Sequence, residues 1–149
     1  MNKKIFDLLR ESAWYEGREK DIAYLYDELS SNNLSKPNEI VFKFLAEFNN
    51  VFIKHTTLDN RFIEVHFDLE GAIEITHLEL LAKIEKVITE NLVPIGYIGD
   101  YEASLLMSYS GRVYMMLEDE GFFELGQNWE DALETILEQK EFKNIFSFR

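Results

Sequence analysis

Apolar residues in the first 50 positions recur at intervals of three and four, the spacing that places side chains on one face of a helix. Three such groups follow one another: Ile5, Leu8 and Leu9; Ile22, Leu25, Tyr26 and Leu29; and Val41, Phe44, Leu45 and Phe48. Residues 14–18 separate the first two groups, and the segment SNNLSKPNE separates the second from the third with residues that end helices and cap new ones. The pattern predicts three N-terminal helices.

After Val51 the period of the apolar positions changes to two, which is typical of a strand with one buried face. The segment VFIKHTT precedes the longer FIEVHFDLE, in which apolar and polar residues alternate. Ile63, Val65, Phe67 and Leu69 would lie on one face, and Glu64, His66, Asp68 and Glu70 on the other. The pattern predicts a half-buried pair of strands, the second extending through Glu70.

The second half of the chain is predicted to hold one helix, four short strands and a closing helix. Between Thr76 and Asn91 one helix face would carry Leu80, Leu81, Ile84, Val87 and Ile88. The apolar runs VPIGYI, ASLLMSY, RVYMMLE and GFFEL are separated by glycine-containing turns, as in an antiparallel meander. Asn128 is a helix-capping residue, and the buried face of the helix that it begins would carry Trp129, Leu133, Ile136 and Leu137.

No repeat, low-complexity tract or linker-like segment divides the chain, so residues 1–149 are expected to form one domain. Helices followed by strands and a final helix define the α+β class. The expected fold therefore has N-terminal helices and a mainly antiparallel sheet with a packed C-terminal helix.

The composition favours a folded protein of a reducing compartment. A hydrophobic fraction of 46% argues against disorder despite a net charge of -13, and the chain has no cysteine for a disulfide framework. No run reaches the roughly 18 apolar residues of a membrane span. Asp7, Arg10 and Glu11 interrupt the apolar run that a signal peptide would need. We therefore expect a cytoplasmic protein that does not insert into a membrane.

The charge of the chain is strongly negative and unevenly distributed, with 28 Asp and Glu against 15 Lys and Arg. Phosphate binding relies on clustered bases, which argues against a nucleic-acid partner and against anionic membranes. Residues 87–139 hold eleven acids and one base, Arg112. Such asymmetry favours a basic protein partner, whereas the sequence does not specify an oligomeric state.

Eight acids and no base lie between Val113 and Gln139. They are the predicted partner-binding residues: Glu118, Asp119, Glu120, Glu124, Glu130, Asp131, Glu134 and Glu138. Glu130, Glu134 and Glu138 follow at intervals of four on one predicted helix, where like charges cost about 0.2 to 0.5 kcal/mol per pair. The sequence retains this avoidable repulsion, which favours a role in binding; the alternative interpretation is that the acids only keep the protein soluble.

Candidate catalytic chemistry has simpler structural explanations. Glu64, His66 and Asp68 could present metal ligands, but an alternating polar face is what any half-exposed strand shows. Ser108 and Ser110 fit a hairpin turn better than a strand-to-helix nucleophile elbow. The segment PIGYIGD matches neither a P-loop nor a dinucleotide fingerprint. We expect no catalytic residue, cofactor or bound metal, with a metal-dependent enzyme that uses the Glu64 set as an alternative.

Five short motifs span the chain from about Phe6 to Leu137. They are SAWYEGREKDI with Trp14, Gly17 and Arg18; FLAEFNNV; LVPIGYI with Pro94, Ile95 and Gly96; SGRVY with Gly111, Arg112, Val113 and Tyr114; and ELGQNWEDALETIL with Gly126. In order and spacing these motifs resemble the SUKH superfamily of bacterial toxin-immunity proteins, and its third family in particular. Each makes structural sense, since glycine takes turn conformations without steric cost and Trp14 is a large core filler.

The chain departs from the pattern of that family at three places. Asn49 and Asn50 replace a glycine pair, and Asn is the non-glycine residue that best tolerates a left-handed helix end. Glu16 stands where a proline is more typical, and Ser12 and Ala13 stand where a glycine often precedes the tryptophan. We expect the fold to tolerate these differences.

The resemblance implies a compact α+β domain without catalysis that inhibits a cognate polymorphic or contact-dependent toxin in the cytoplasm, often a nuclease. The acidic charge agrees with this function, because a nuclease surface is basic and an acidic inhibitor can associate with it quickly. The alternative from another class is an intracellular regulatory interaction module of the same superfamily without a toxin partner. The product of the adjacent gene would distinguish the two.

Overall fold

The computed structural model describes residues 3–99 and 102–148, and within those ranges it contains six helices and seven strands. In chain order they are α1 (Lys3–Glu11), α2 (Leu25–Ser31), α3 (Glu39–Phe48), β1 (Val51–Thr56), β2 (Phe62–Phe67), α4 (Leu69–Ile75), α5 (Leu78–Ile88), β3 (Leu92–Ile98), β4 (Ala103–Ser108), β5 (Val113–Leu117), β6 (Gly121–Gly126), α6 (Trp129–Leu137) and β7 (Lys143–Ser147). The predicted α+β fold, with N-terminal helices, an antiparallel sheet and a packed C-terminal helix, is confirmed.

Short polar side chains and one histidine determine where four of the helices begin. The side chains of Asn38, Asp68, His77 and Asn128 each accept a hydrogen bond from the backbone N–H three residues further along the chain. Such a bond satisfies one of the donors that the first turn leaves unpaired, and a side-chain cap typically contributes about 1 kcal/mol. The starts of α3, α4, α5 and α6 are therefore encoded locally.

The seven described strands form one antiparallel sheet in the order β1-β2-β3-β4-β5-β6-β7, so neighbours in the sheet are neighbours in the sequence. Helices α4 and α5 lie in the connection between β2 and β3, and α6 lies between β6 and β7. Strands β1 and β7 are the two edges of this sheet.

The sheet separates two apolar cores. Leu105 belongs to the larger core together with Phe48 of α3 and Leu133 of α6. Leu106, the next residue in β4, belongs to the smaller core together with Leu81 of α5. Successive side chains of a strand point to opposite faces, so helices cover both faces of the sheet.

Three features of the structure differ from the prediction. The strand predicted through Glu70 is wrong for residues 68–70, because β2 ends at Phe67 and Asp68 caps α4. Helix α4 itself was not predicted, since the expected helix began only at about Thr76. The Oδ1 atom of Asp68 accepts a hydrogen bond from the backbone N–H of Gly71 at 3.1 Å, and this cap overrides the alternating pattern. Strand β7 was not predicted, since its residues KNIFS do not alternate between apolar and polar positions.

The glycine motifs occupy turns and one close backbone contact. Gly17 and Gly111 have φ angles of 77° and 93°, a backbone region that residues other than glycine rarely adopt. In β3 the pairing register shifts between Pro94 and Gly96, where a Cβ atom on Gly96 would collide with the carbonyl oxygen of His66.

Arg18 closes the C-terminal end of α3 from a position that is only 7% exposed. Its Nη1 atom donates to the carbonyl oxygens of Glu47 at 2.6 Å and Asn49 at 3.0 Å, groups that lie at the end of the helix. Asn50 has a φ of 69°, so the expected left-handed conformation is present at the second asparagine of the pair. Asn49 instead has a φ of -58°.

Tyr114 connects β5 to the segment that follows α5. Its hydroxyl donates a hydrogen bond to Oε2 of Glu90 at 2.8 Å. Burial and this bond raise the pKa of Tyr114 to about 12, so the phenol is a neutral donor at physiological pH. Val113, beside it in the same motif, is buried in the larger core.

No helix within residues 3–99 and 102–148 is long and apolar enough to cross a membrane.

Candidate partner-binding surface

The eight predicted acids do not form one continuous surface. Glu118, Asp119 and Glu120 are exposed in the turn between β5 and β6, here called the acidic turn (residues 118–120). This turn lies at the start of β6, whereas α6 begins beyond Gly126 at the other end of that strand. The fold therefore separates the acidic turn from the acids of α6.

Glu124 is partly neutralised by bases from the two neighbouring strand segments. Its carboxylate lies 3.9 Å from Nη1 of Arg112 and 3.4 Å from Nζ of Lys143. Only 15% of its side chain is exposed, so little of it is available to a partner.

The acids of α6 also acquire a counter-charge in the fold. Nζ of Lys140, just beyond the helix, lies 3.4 Å from Glu134 and 3.9 Å from Glu138. Asp131 is exposed in the first turn, where its backbone N–H donates to Oδ1 of Asn128 at 2.8 Å. The repulsion expected along α6 is thus reduced at its C-terminal end.

Glu130 lies in a different environment, beside acids from the N-terminal half of the chain. It lines a cavity of about 250 Å³ together with Phe6, Trp14, Glu16, Glu47 and Trp129, a site here called the aromatic cleft. These side chains come from α1, the segment after it, α3 and the start of α6. The cleft therefore exists only in the folded chain.

The aromatic wall of this cleft depends on how α1 ends. The backbone N–H of Trp14 donates to the carbonyl of Leu9, and Ala13 between them takes a left-handed φ of 67°. This is a Schellman-type end, which turns the chain back over the helix. As a result the Trp14 ring lies 5.9 Å from Phe6 and 6.2 Å from Trp129, measured between ring centroids.

Carboxylates dominate the electrostatics of the aromatic cleft. Nε1 of Trp14 donates a hydrogen bond to Oε1 of Glu47 at 3.0 Å. Burial raises the pKa of the Glu47 carboxyl, and the charges of Glu16 and Glu130 raise it further, against the lowering effect of the hydrogen bonds from Trp14 and from the backbone N–H of Gly17. The described residues that line this cavity include no Lys or Arg.

A larger cavity of about 610 Å³ lies between residues 17–21 and α3. Its lining mixes bases with acids, among them Lys20 and Lys43 with Asp21 and Glu39, and it includes the exposed ring of Phe42. This mixture gives no preference for a partner of one charge.

The candidate metal and serine sites have other roles in the fold. Nε2 of His66 lies 3.0 Å from Oε2 of Glu64, while Asp68 caps α4. In residues 3–99 and 102–148 no group of three His, Cys, Asp or Glu side chains is arranged to hold a metal ion. Ser108 is buried, and its hydroxyl lies 2.8 Å from that of Ser110 in the turn after β4.

A model of the SUKH-3 immunity protein family matches residues 1–139, which is most of the chain. The chain belongs to the SUKH-3 immunity protein family. No curated protein and no solved structure matched it. All residues of the aromatic cleft and of the acidic turn lie inside the matched region, whereas β7 lies beyond it.

As a SUKH-3 protein, the chain belongs to a group of inhibitors with a toxin-immunity role, and its family implies a cognate toxin as its partner. The sequence prediction included Glu130 but missed Glu16 and Glu47. Both lie among bases in the N-terminal half, yet they flank motif residues: Glu16 is within two positions of Trp14, and Glu47 precedes the Asn49 pair. Their closeness to these motif residues is the feature of the sequence that could have identified Glu16 and Glu47 as candidates.

Proposed function

We propose that this protein binds a cognate toxin domain, with a nuclease as the expected class, and neutralises it in the cytoplasm by protein–protein contact without any catalytic step. The observation that carries the proposal is the match to the SUKH-3 immunity protein family over residues 1–139. The expected partner is the toxin domain encoded beside it.

The charge of the chain supports a basic partner. A net charge of -13 creates a negative potential that accelerates association with a positively charged surface. Surfaces that bind nucleic-acid phosphates are rich in Lys and Arg. An acidic protein can therefore approach a nuclease quickly and cover the surface that would hold its substrate.

Two acidic surfaces are the proposed points of contact. The acidic turn extends from the end of the β5–β6 hairpin with all three of its acids exposed. Glu130 and Asp131 begin α6 at the other end of β6, near the aromatic cleft, and Glu134 and Glu138 continue this second surface towards the end of the helix. Glu124 is a weaker candidate, because its carboxylate is shielded by Arg112 and Lys143.

Co-expression tests the function directly. A cell that expresses the toxin domain alone should stop growing, and growth should be restored when this protein is produced in the same cell. Failure to restore growth, with both proteins soluble and present, would contradict toxin neutralisation and favour a regulatory module of the same superfamily.

Charge reversal tests the acidic surfaces. We expect a change to Lys at Glu118, Asp119 and Glu120, or at Glu130, Glu134 and Glu138, to weaken toxin binding at least tenfold and to reduce its salt dependence. The matched control reverses Glu28, Glu70 and Glu79, which are exposed on α2, α4 and α5. Equal losses for all three triple variants would mean that net charge alone acts, and the proposed surfaces would be wrong.

A further inference from the structure

We propose that the aromatic cleft binds the side chain of one arginine of the toxin, an inference that rests on the proposed function. The guanidinium group would lie against the partly exposed ring of Trp129, above the buried Trp14, and pair with the carboxylates of Glu47 and Glu130.

The size of the cleft favours a single side chain as its occupant. Its volume of about 250 Å³ is below the range of about 300 to 1,000 Å³ that is usual for small-molecule sites. Phe48 supports the aromatic wall from the core, with its ring 5.8 Å from Trp14 and 4.6 Å from Trp129. Because Phe48 is fully buried, this wall is held rigidly by the larger core.

The chemistry of the cleft favours a cation. Aromatic faces attract cations through their quadrupole, and carboxylates add ordinary charge attraction. Glu16, Glu47 and Glu130 supply negative charge from three separate elements, and the described lining residues include no base. An apolar occupant would leave these carboxylates desolvated and unpaired, which is costly.

Arginine fits this arrangement better than lysine does. Its guanidinium is planar, so it can stack on an indole and form paired hydrogen bonds with a carboxylate at the same time. The ammonium of lysine is compact and strongly hydrated, and it cannot stack.

The two arginines of the N-terminal segment are committed elsewhere. Nη1 of Arg18 donates to the backbone carbonyls of Glu47 and Asn49. Arg10 is exposed, lies 3.9 Å from Asp7 and contacts the Phe6 ring at 5.7 Å, but it does not line the cleft. The site is therefore available to a cation from a second protein.

The acids of the cleft repel one another, and binding of a cation would relieve this repulsion. The raised pKa of Glu47 means that its ionised form is disfavoured in the folded protein, because of burial and of the charges on Glu16 and Glu130. The carboxylate of Glu47 accepts hydrogen bonds from Nε1 of Trp14 and from the backbone N–H of Gly17, which hold it at the cleft and offset part of this cost. A cation beside it would stabilise the ionised form further.

The test measures toxin affinity by calorimetry for Glu47→Gln and Glu130→Gln, with Glu28→Gln on α2 as the matched control. We expect each cleft variant to bind at least tenfold more weakly and the control to stay within twofold. Glu47→Gln should unfold within a few degrees of the unmodified protein at pH 7, because its amide oxygen still accepts from Trp14 and removal of a repelled charge offsets the lost bond from Gly17. Unchanged affinity in both cleft variants would overturn the proposal.

The pH dependence of stability separates binding from folding. The penalty from Glu47 is present above its raised pKa in the folded state and disappears as the pH falls below its ordinary value of 4.5. The unfolding temperature of the unmodified protein should therefore rise relative to that of Glu47→Gln as the pH is lowered to about 4. A relative fall on acidification would contradict this account of the cleft.

Substitutions in the toxin domain identify the residue that occupies the cleft. Each exposed arginine of the toxin domain is replaced by lysine in turn, and affinities are measured against both the unmodified protein and Glu47→Gln. We expect one replacement to weaken binding to the unmodified protein and to have little further effect with Glu47→Gln, the signature of a direct pair. Independent effects at every arginine would overturn the proposal.

These outcomes are distinct from failure of the proposed function. A protein that neither binds the toxin nor restores growth would refute the function itself. A protein that binds and protects equally well with and without the cleft carboxylates would refute only the arginine site.

Discussion

The backbone of Ala13 takes a left-handed conformation at the end of α1, with a φ of 67°. A residue with a Cβ atom pays about 1 kcal/mol or more for this conformation, whereas glycine does not. In the SUKH superfamily, a glycine often precedes the tryptophan at this position. The conformation directs Trp14 back over α1, so it also shapes the aromatic cleft.

We predict that Ala13→Gly raises the free energy of unfolding by about 0.5 kcal/mol, because relief of the left-handed strain exceeds the extra chain entropy of glycine. Urea denaturation measures the change. The control is Ala82→Gly at an exposed position inside α5, where the same substitution should lower stability by about 1 kcal/mol. Similar losses in both variants would show that Ala13 is not strained.

Arg18 provides a second prediction at the residue scale. Its buried guanidinium donates to two carbonyl groups near the end of α3, and bonds that involve a charged group contribute about 1.5 to 3 kcal/mol each. Arg18→Met should therefore lower the free energy of unfolding by about 3 kcal/mol. The exposed Arg10, changed to Met as a control, should cost less than about 0.5 kcal/mol. Equal effects in a denaturant titration would refute the capping role.

At the scale of elements, β7 completes the sheet and one side of the smaller core. It pairs with β6 from Gly121↔Ser147 to Glu124↔Lys143. Ile145, Phe146 and Phe148 pack against the smaller core as partly buried side chains. Without this strand, β6 would become a sheet edge next to exposed apolar surface.

Deletion of residues 141–149 is predicted to lower the free energy of unfolding by about 4 kcal/mol, the value for partial burial of four large apolar side chains, the three above and Phe142. The deleted protein should also self-associate through the new edge. Denaturant titration and light scattering measure the two effects. Glu141→Ala, which removes an exposed charge from the deleted segment, should have little effect on either, and a stable monomer after deletion would contradict the assigned role.

At the scale of the whole molecule, self-repulsion accompanies a net charge of -13. Raising NaCl from about 0.01 M to about 0.1 M shortens the Debye length from about 30 Å to about 10 Å. We predict that this change raises the unfolding temperature by a few degrees. The double change to Lys at Glu118 and Glu120 should reduce that rise, because it removes part of the repulsion. An unfolding temperature that falls with salt would mean that attractive ion pairs dominate instead.

The secondary structure was largely predictable from the sequence because its signals are local. The apolar periods of three to four and of two predicted the N-terminal helices and the strands from β1 to β6. The exception at residues 68–70 is also local, since the cap formed by Asp68 competed with the alternating pattern and prevailed. Helix α4 and strand β7 were not predicted, because α4 has only seven residues and β7 is specified by pairing with β6.

The sequence by itself determined the element types, the excess of negative charge and the family, since each is a property of residue order and composition. Only the tertiary structure decided which charges surround each acidic side chain. It shields Glu124 with Lys143, brings Lys140 to Glu134, and unites Glu130 with Glu16 and Glu47. The reason is that Coulomb energies depend on distance and burial in the folded chain, and packing of α1, α3 and α6 brings together charges that are far apart in the sequence.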